Sequence, residues 1–459
     1  MAETSTLSSN RVIREVPPDV WLDVFSHFSL SFESYRKPTD ILHLSHVCSS
    51  WRGIIHNAPE LWTRIDIGIV FSVPSVDLVV RPREELLSLF LRNSRELPLT
   101  VSLEATAVYI PDDVTKVCRL FSQVAKRARY VALSLPYRFP IQEFITDVEA
   151  SPVLESLYIL NNPDPNAIMR LALKFCTPSL SFHSLRLQSP SKLSLESIGF
   201  LETHHFPFKQ LTTLDIFMGI DVAGFCHLMS LVPLLTTVKV NGLVGEINAG
   251  AVEAVELLHL RRLALEASEL LATPLNRLLE FIILPSLTTL FLVGDRNWSS
   301  KVFQTFLHRS TPRIEHFGHD SEDTTENEMI ERLKLLPFIR TLDLPADAGY
   351  NRQYEREPQV GSIFCDSLQE WDTASQRFVI CPELETLRVD YKILSKTSLS
   401  MTAFADMVEE RWHRSRAAGK NFRLEMNNVY DIGGRQPKLL AKLRRIPSLK
   451  KVGYNVTIG

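Results

Sequence analysis

Glycine is scarce in this chain, 17 residues in 459. So few glycines leave little material for phosphate-cradling loops, and neither GxGxxG nor a Walker-type run occurs. Cysteine is sparse as well. Its six copies (Cys48, Cys118, Cys176, Cys226, Cys365 and Cys381) include no CxxC pair, which argues against paired-cysteine zinc modules. A chain of this length needs no disulfide staples, so reduced and mostly buried thiols are expected, in a cytoplasmic or nuclear protein. The richest apolar run, LLEFIILPSL, is interrupted by Glu280 and Pro285, so no membrane span is expected. The opening residues MAETSTLSSNR have no apolar h-region, and no secretory leader is expected from them. A net charge of −3 gives no general attraction to nucleic acid or to an anionic membrane. Catalytic motifs such as HExxH and GxSxG are missing, and His204-His205 lacks neighbouring ligands to complete a metal site. No catalytic residue, cofactor or metal is therefore expected, and the chain reads as non-catalytic.

What the chain does have is a repeat. LESLYI begins at Leu154, FHSLRL at Phe182, LTTLDI at Leu211 and LTTVKV at Leu235. LRRLAL follows from Leu260, LTTLFL from Leu287, IEHFGH from Ile314 and IRTLDL from Ile339. Successive starts lie 24 to 29 residues apart, the period of leucine-rich repeats, and LxxLxL is their strand signature. A proline stands two residues before the first apolar position at Pro152, Pro233, Pro285, Pro312, Pro337, Pro382 and Pro447. Proline there ends the preceding helix and sets the entry to the strand. LETLRV from Leu384 and LKKVGY from Leu449 come after longer gaps. The Asn or Cys that closes a regular repeat is absent from almost every copy, so each turn is expected to close by its own local chemistry.

Helices are expected between the strands, at 269–283, at 299–310 and over MTAFADMVEERWHRSR. Arg411, His413, Arg414 and Arg416 then fall on an outer helix face. Thr325 and Glu328 have capping-box spacing, and 349–361 reads as a long exposed loop. Upstream, 81–94 and the stretch from Pro111 read as helices, LPLTVSLEA and RYVALSL as strands. The fold class is thus α/β: parallel strands alternating with helices in an irregular solenoid over 151–459, reached through connecting helix–strand units at 66–150.

Residues 16–65 do not repeat. After a disordered tail at 1–15, Pro17 and Pro18 open a helix in which Trp21, Val24, Phe25 and Phe28 make one apolar face. Thr39 caps a second helix carrying Ile41, Leu44, Val47, Cys48 and Trp51. The order Val16-Pro17, Asp19-Val20-Trp21, Val24-Phe25, Asp40-Ile41-Leu42, Val47-Cys48 and Trp51, followed by APELWTRIDI, resembles the F-box. Divergent repeats after such a segment are similar to those of many fungal F-box proteins. Val16, Asp19 and Ser49-Ser50 depart from the family pattern, and the linker at 29–39 is longer than usual.

The resemblance implies a substrate receptor of a Skp1–cullin–F-box ubiquitin ligase. Pro17, Pro18, Val20, Trp21, Val24, Phe25, Phe28, Val47, Cys48 and Trp51 would face the Skp1-like adaptor or form the module's core, two roles the sequence does not separate. The alternative is an interaction scaffold whose helical segment only caps the solenoid. Strand alternation turns one residue per repeat outward: Tyr158, Arg186, Asp215, Lys239, Ala264, Phe291, Asp343 and Arg388. Nine or so strands ~4.8 Å apart would make a concave face about 40 Å long, enough for a target protein.

Overall fold

The computed structural model describes residues 16–30, 40–71, 78–105, 114–134, 151–160, 184–193, 208–245, 253–267, 274–294, 299–320, 324–344, 360–390 and 398–427. The tail at 1–15, Thr39, Pro111, Cys176, His204-His205, the repeat at Leu449 and most of 349–361 lie outside these residues. The chain divides into two compact units, Met1–Ser191 with Gly199–Gln210, and Lys192–Ile198 with Leu211–Gly459.

The first unit begins with three helices, α1 (Pro18–Leu30), α2 (Asp40–Ser45) and α3 (Ser49–Asn57). Of the two or three short helices that the segment allows, three form, and the run carrying Ile41 to Trp51 is two of them. It breaks at Val47-Cys48, where Cys48 takes an extended backbone and its Sγ accepts the amide of Trp51 at 3.4 Å, so Cys48 caps α3. A 3-10 turn at Pro59–Trp62 leads into β1 (Arg64–Phe71), which pairs antiparallel with β2 (Leu78–Arg81). Then come α4 (Glu84–Asn93), β3 (Leu99–Ala105), α5 (Val114–Ala125), β4 (Ala128–Ser134), β5 (Ser156–Leu160) and β6 (Ser184–Leu193). These strands lie in the order β6-β5-β4-β3-β1-β2, parallel except at β2. Val101, Leu103, Val131, Leu133 and Leu157 are buried, as alternation requires. Trp62 joins the helices to this sheet. It is wholly buried, donates its indole N–H to Ile55 O at 2.8 Å, and meets the Phe90 ring of α4 edge-on at 5.2 Å.

The second unit alternates strand and helix. It runs β7 (Thr213–Asp221), α6 (Val222–Leu231), β8 (Thr237–Val244), β9 (Val255–Glu256), β10 (Arg262–Ala267), α7 (Pro274–Phe281) and β11 (Ile282–Ile283). It continues with β12 (Thr289–Val293), α8 (Ser300–Ser310), β13 (His316–Asp320), α9 (Glu326–Lys334), β14 (Thr341–Leu344) and α10 (Ser362–Gln369). A small hairpin, β15 (Trp371–Asp372) and β16 (Arg377–Phe378), precedes β17 (Thr386–Asp390), α11 (Ser398–Ala417) and β18 (Arg423–Asn427). Eight strands form a parallel sheet in the order β18-β17-β14-β13-β12-β10-β8-β7. The described repeat strands begin two residues after the first apolar position of each LxxLxL. β18 is a strand the repeat pattern did not reveal, because FRLEM carries the alternation without the leading leucine.

A recurring hydrogen bond sets the register. Thr236 O accepts both Arg261 N and Arg262 N, and Arg261 O accepts Thr288 N and Thr289 N, all within 2.9–3.0 Å. Each strand entrance is thereby tied to the one before it. The strands bend or end by differing means: Gly242 inside β8 at φ +124, Gly294 after β12 at φ +86, and Asp221, whose carboxylate caps α6 through Gly224 N at 2.6 Å. The Thr325–Glu328 capping box is present at the start of α9.

Two readings are corrected here. Arg411 is not on an outer face: it is buried, donating to Leu368 O (2.6 Å), Ile380 O (2.6 Å) and Cys381 O (3.2 Å), with its guanidinium over the Phe378 ring. The 3.6-residue period put Arg411 beside exposed charges, but the carbonyls of Leu368, Ile380 and Cys381 draw it inward. The end of the supposed exposed loop is also packed, since Val360 and Gly361 are buried and Glu326 Oε2 accepts Phe364 N at 2.7 Å.

Candidate functional site

Two surfaces carry the sequence-selected residues. The first is the helical module. Trp21 and Phe25, one turn apart on α1, meet Trp51 of α3: Trp21 to Trp51 is 4.7 Å between centroids and Phe25 to Trp51 is 5.0 Å. Phe25 is 1% exposed, and Trp21 and Trp51 are half-buried. These three therefore hold the module together. The expected single stripe also included Val24, which the structure places elsewhere. Val20 and Val24, a second i, i+4 row on α1, are 45% and 49% exposed, and Val47 between α2 and α3 is 56% exposed. Pro17 and Pro18 are exposed too, Cys48 is half-buried at its cap, and the side chain of Phe28 falls outside the described set. Of these residues the aromatics Trp21, Phe25 and Trp51 face inward, and the valines and prolines face outward.

The second surface is the outward row of the sheets. In the first unit, register links Asp66, Ser102, Ala132, Tyr158 and Arg186. Arg186 lies over the Tyr158 ring at 4.9 Å, and Ser102 Oγ donates to Asp66 Oδ1 at 2.7 Å. In the second unit, Asp215, Lys239, Ala264, Phe291, Gly318, Asp343, Arg388 and Glu425 occupy one row, one residue per strand. Lys239 is exposed; Asp215, Ala264, Phe291, Asp343 and Arg388 are half-buried.

Sequence reasoning missed several members of these rows. Asp66, Ser102 and Ala132 were findable from the alternation in β1, β3 and β4. Gly318 and Glu425 were hidden by the atypical repeats IEHFGH and FRLEM. Gly318 matters because a Cβ there would stand 2.0 Å from Phe291 Cδ1, so the Phe291 ring lies across the gap the glycine leaves. Arg388 Nε donates to Glu425 Oε2 at 2.7 Å. Burial raises the Asp343 carboxyl above its usual range, against the opposing pull of Arg388. Among the described residues no three His, Cys, Asp or Glu side chains gather in a metal-holding group, and no helix is long and apolar enough to cross a membrane.

No curated protein matches the chain. Solved structures that match include the leucine-rich repeat-containing protein LegL7 from Legionella pneumophila, at 15% identity over 72% of this chain and 94% of that one, with a TM-score of 0.39. They also include the Rad7 and Elc1 complex in yeast, at 14% identity over 85% of this chain and 93% of that one, with a TM-score of 0.35. Residues 13–68, which span the three helices, the Trp62 turn and the start of β1, match the F-box-like family.

Proposed function

We propose that this chain is a substrate-recognition subunit of a Skp1–cullin–F-box type ubiquitin ligase. Its helical module binds a Skp1-like adaptor within a cullin complex, and its outward sheet rows bind a target protein. The observation that carries the reading is the uncovered Val20–Val24 row inside a segment that matches the F-box-like family. The module's aromatic core does not use these valines, and two half-exposed valines on adjacent turns offer apolar surface worth burying against a partner.

In this reading residues 16–65 dock the adaptor, 66–150 connect, and 151–459 hold the target. The chemistry belongs to other subunits. This chain raises the effective concentration of target lysines near a ubiquitin-loaded enzyme, which requires position and no catalytic residue. Such a subunit works in the cytoplasm or nucleus, and its divergent repeats fit the fungal F-box proteins it resembles. The test is capture of a purified Skp1-type adaptor by the intact chain. The expected result is binding that Val20→Asp with Val24→Asp abolishes; an adaptor that ignores the intact chain refutes the reading and leaves a scaffold outside any ligase.

A further inference from the structure

The outward face of the second unit's sheet is electrically sorted along its strands. Two residues before the central row, register joins Arg262, His316 and Arg423, and every other strand of that row contributes threonine. No carboxylate occurs in it. Two residues after the central row stand Glu266, beside Val293, and the buried Asp390, paired with Asn427, with no lysine or arginine in these register sets. The first unit repeats the former pattern on its own, with Arg64 followed by Thr100, Tyr130, Ser156 and Ser184.

Arg262 and Arg423 are exposed; Arg262 has no ion-pair partner among the described residues, and Arg423 stands 3.9 Å from Glu425. Burial first lowers the His316 pKa, Glu315 opposes it, and Arg262, Arg388 and Arg340 add to the lowering, so the middle of the row holds an imidazole kept toward its neutral form between the two exposed guanidinium groups. The turns entering β8, β10 and β14 add exposed Leu234, Leu258 and Phe338, and the Arg313 guanidinium sits over the Phe338 ring at 5.2 Å. Cations, hydroxyl donors and apolar side chains thus share the edge at which the strands begin.

We propose that this strand-entry edge takes a carboxylate-rich, extended segment of the target protein, laid across the strands with apolar side chains between its acids. The proposal rests on the target-binding role given to the sheet above, and it names the chemistry of the target. Spacing fits the idea. Arg262 and His316 are two strands apart, about 10 Å, and Arg262 and Arg423 five strands apart, about 24 Å. An extended chain advancing ~3.3 Å per residue spans Arg262 to Arg423 in about seven residues, and because its side chains alternate, acids at about i and i+6 or i+8 share the face turned to them. The half-buried Thr237 beside Arg262 and Thr386 beside Arg423 donate their hydroxyls to the same carboxylates or to the segment's backbone carbonyls.

The experiment is fluorescence anisotropy on the full-length chain, with a short labelled peptide alternating glutamate and leucine and a lysine–leucine counterpart. The glutamate peptide should bind, weaken as salt rises, and weaken by about tenfold or more in Arg262→Glu with Arg423→Glu, a double loss of surface charge pairing turned into repulsion. Lys301→Glu, on the exposed side of α8, should leave binding unchanged. A milder Arg262→Gln, Arg423→Gln pair serves if charge reversal lowers the melting temperature. Equal binding by the reversed variant, tighter binding of the lysine peptide, or preference for a phosphoserine peptide or an oligouridylate over the glutamate peptide overturns the proposal. Adaptor capture on the same preparation separates the two readings, since adaptor docking does not involve this edge.

Discussion

Adjacent residues of α1 have opposite duties, and substitutions should tell them apart. Phe25→Asp places a charge in the aromatic contact with Trp21 and Trp51 and should unfold the helical module, whereas Val24→Asp changes an exposed side chain and should leave circular dichroism and melting unaltered. Arg411 is a second decisive residue. Arg411→Met removes the side-chain donor of the Leu368 and Ile380 carbonyls and one of the two donors of Cys381 O, and should cost about 3 kcal/mol, read as a lower urea midpoint. Burial pushes the Cys365 and Cys381 thiols up to about 12, so iodoacetamide at neutral pH should label them only after unfolding, and the half-buried Cys48 and Cys118 before. His319 gives a pH signature. Burial first, and Arg332 beside it, hold its pKa well below 6.5. The native state thus stays unprotonated where the unfolded chain binds a proton, and stability falls as pH drops below 6.5; His316 shifts in the same direction. Melting between about pH 7.5 and about pH 5.5 should show this loss, and His319→Asn should flatten it.

Elements were legible in proportion to how local their cause is. The LxxLxL strands, the helix from Ser300 to Ser310 and the Thr325 capping box follow from period and cap chemistry, which short sequence windows contain. The break between α2 and α3 was not legible, because Cys48 ranks as an apolar residue in a stripe until its sulfur is seen accepting the Trp51 amide. Arg411 was misplaced for the complementary reason: its partners, Leu368, Ile380 and Cys381, lie 30 to 43 residues away. The candidate adaptor surface was half legible, as a list of residues without their sides. Only the packing of Trp51 between Trp21 and Phe25 shows which row of α1 is left over. At the strand exits glycine acts by conformation. Gly294 has φ +86, and a Cβ there would meet Ala267 O at 2.6 Å, so Gly294→Ala should strain the β10–β12 pair by about 1–3 kcal/mol, measured as a fall in melting temperature.

For the molecule as a whole, the proposed function gives the F-box-like helical module one partner and the outward sheet rows another. Each surface can be disabled without the other. Charge reversal at Arg262 and Arg423 should spare adaptor binding, and aspartates at Val20 and Val24 should spare the acidic peptide. The sheets need no catalytic group for this work, only a fixed row of side chains, which the paired amides at each strand entrance provide. The most direct measurement is a calorimetric titration of a purified Skp1-type adaptor into the full chain and into its Val20→Asp, Val24→Asp variant. The native chain should bind one-to-one and the variant should lose more than about a hundredfold in affinity, with melting unchanged. No heat of binding with the native chain, or equal affinity in the variant, would contradict the proposed function.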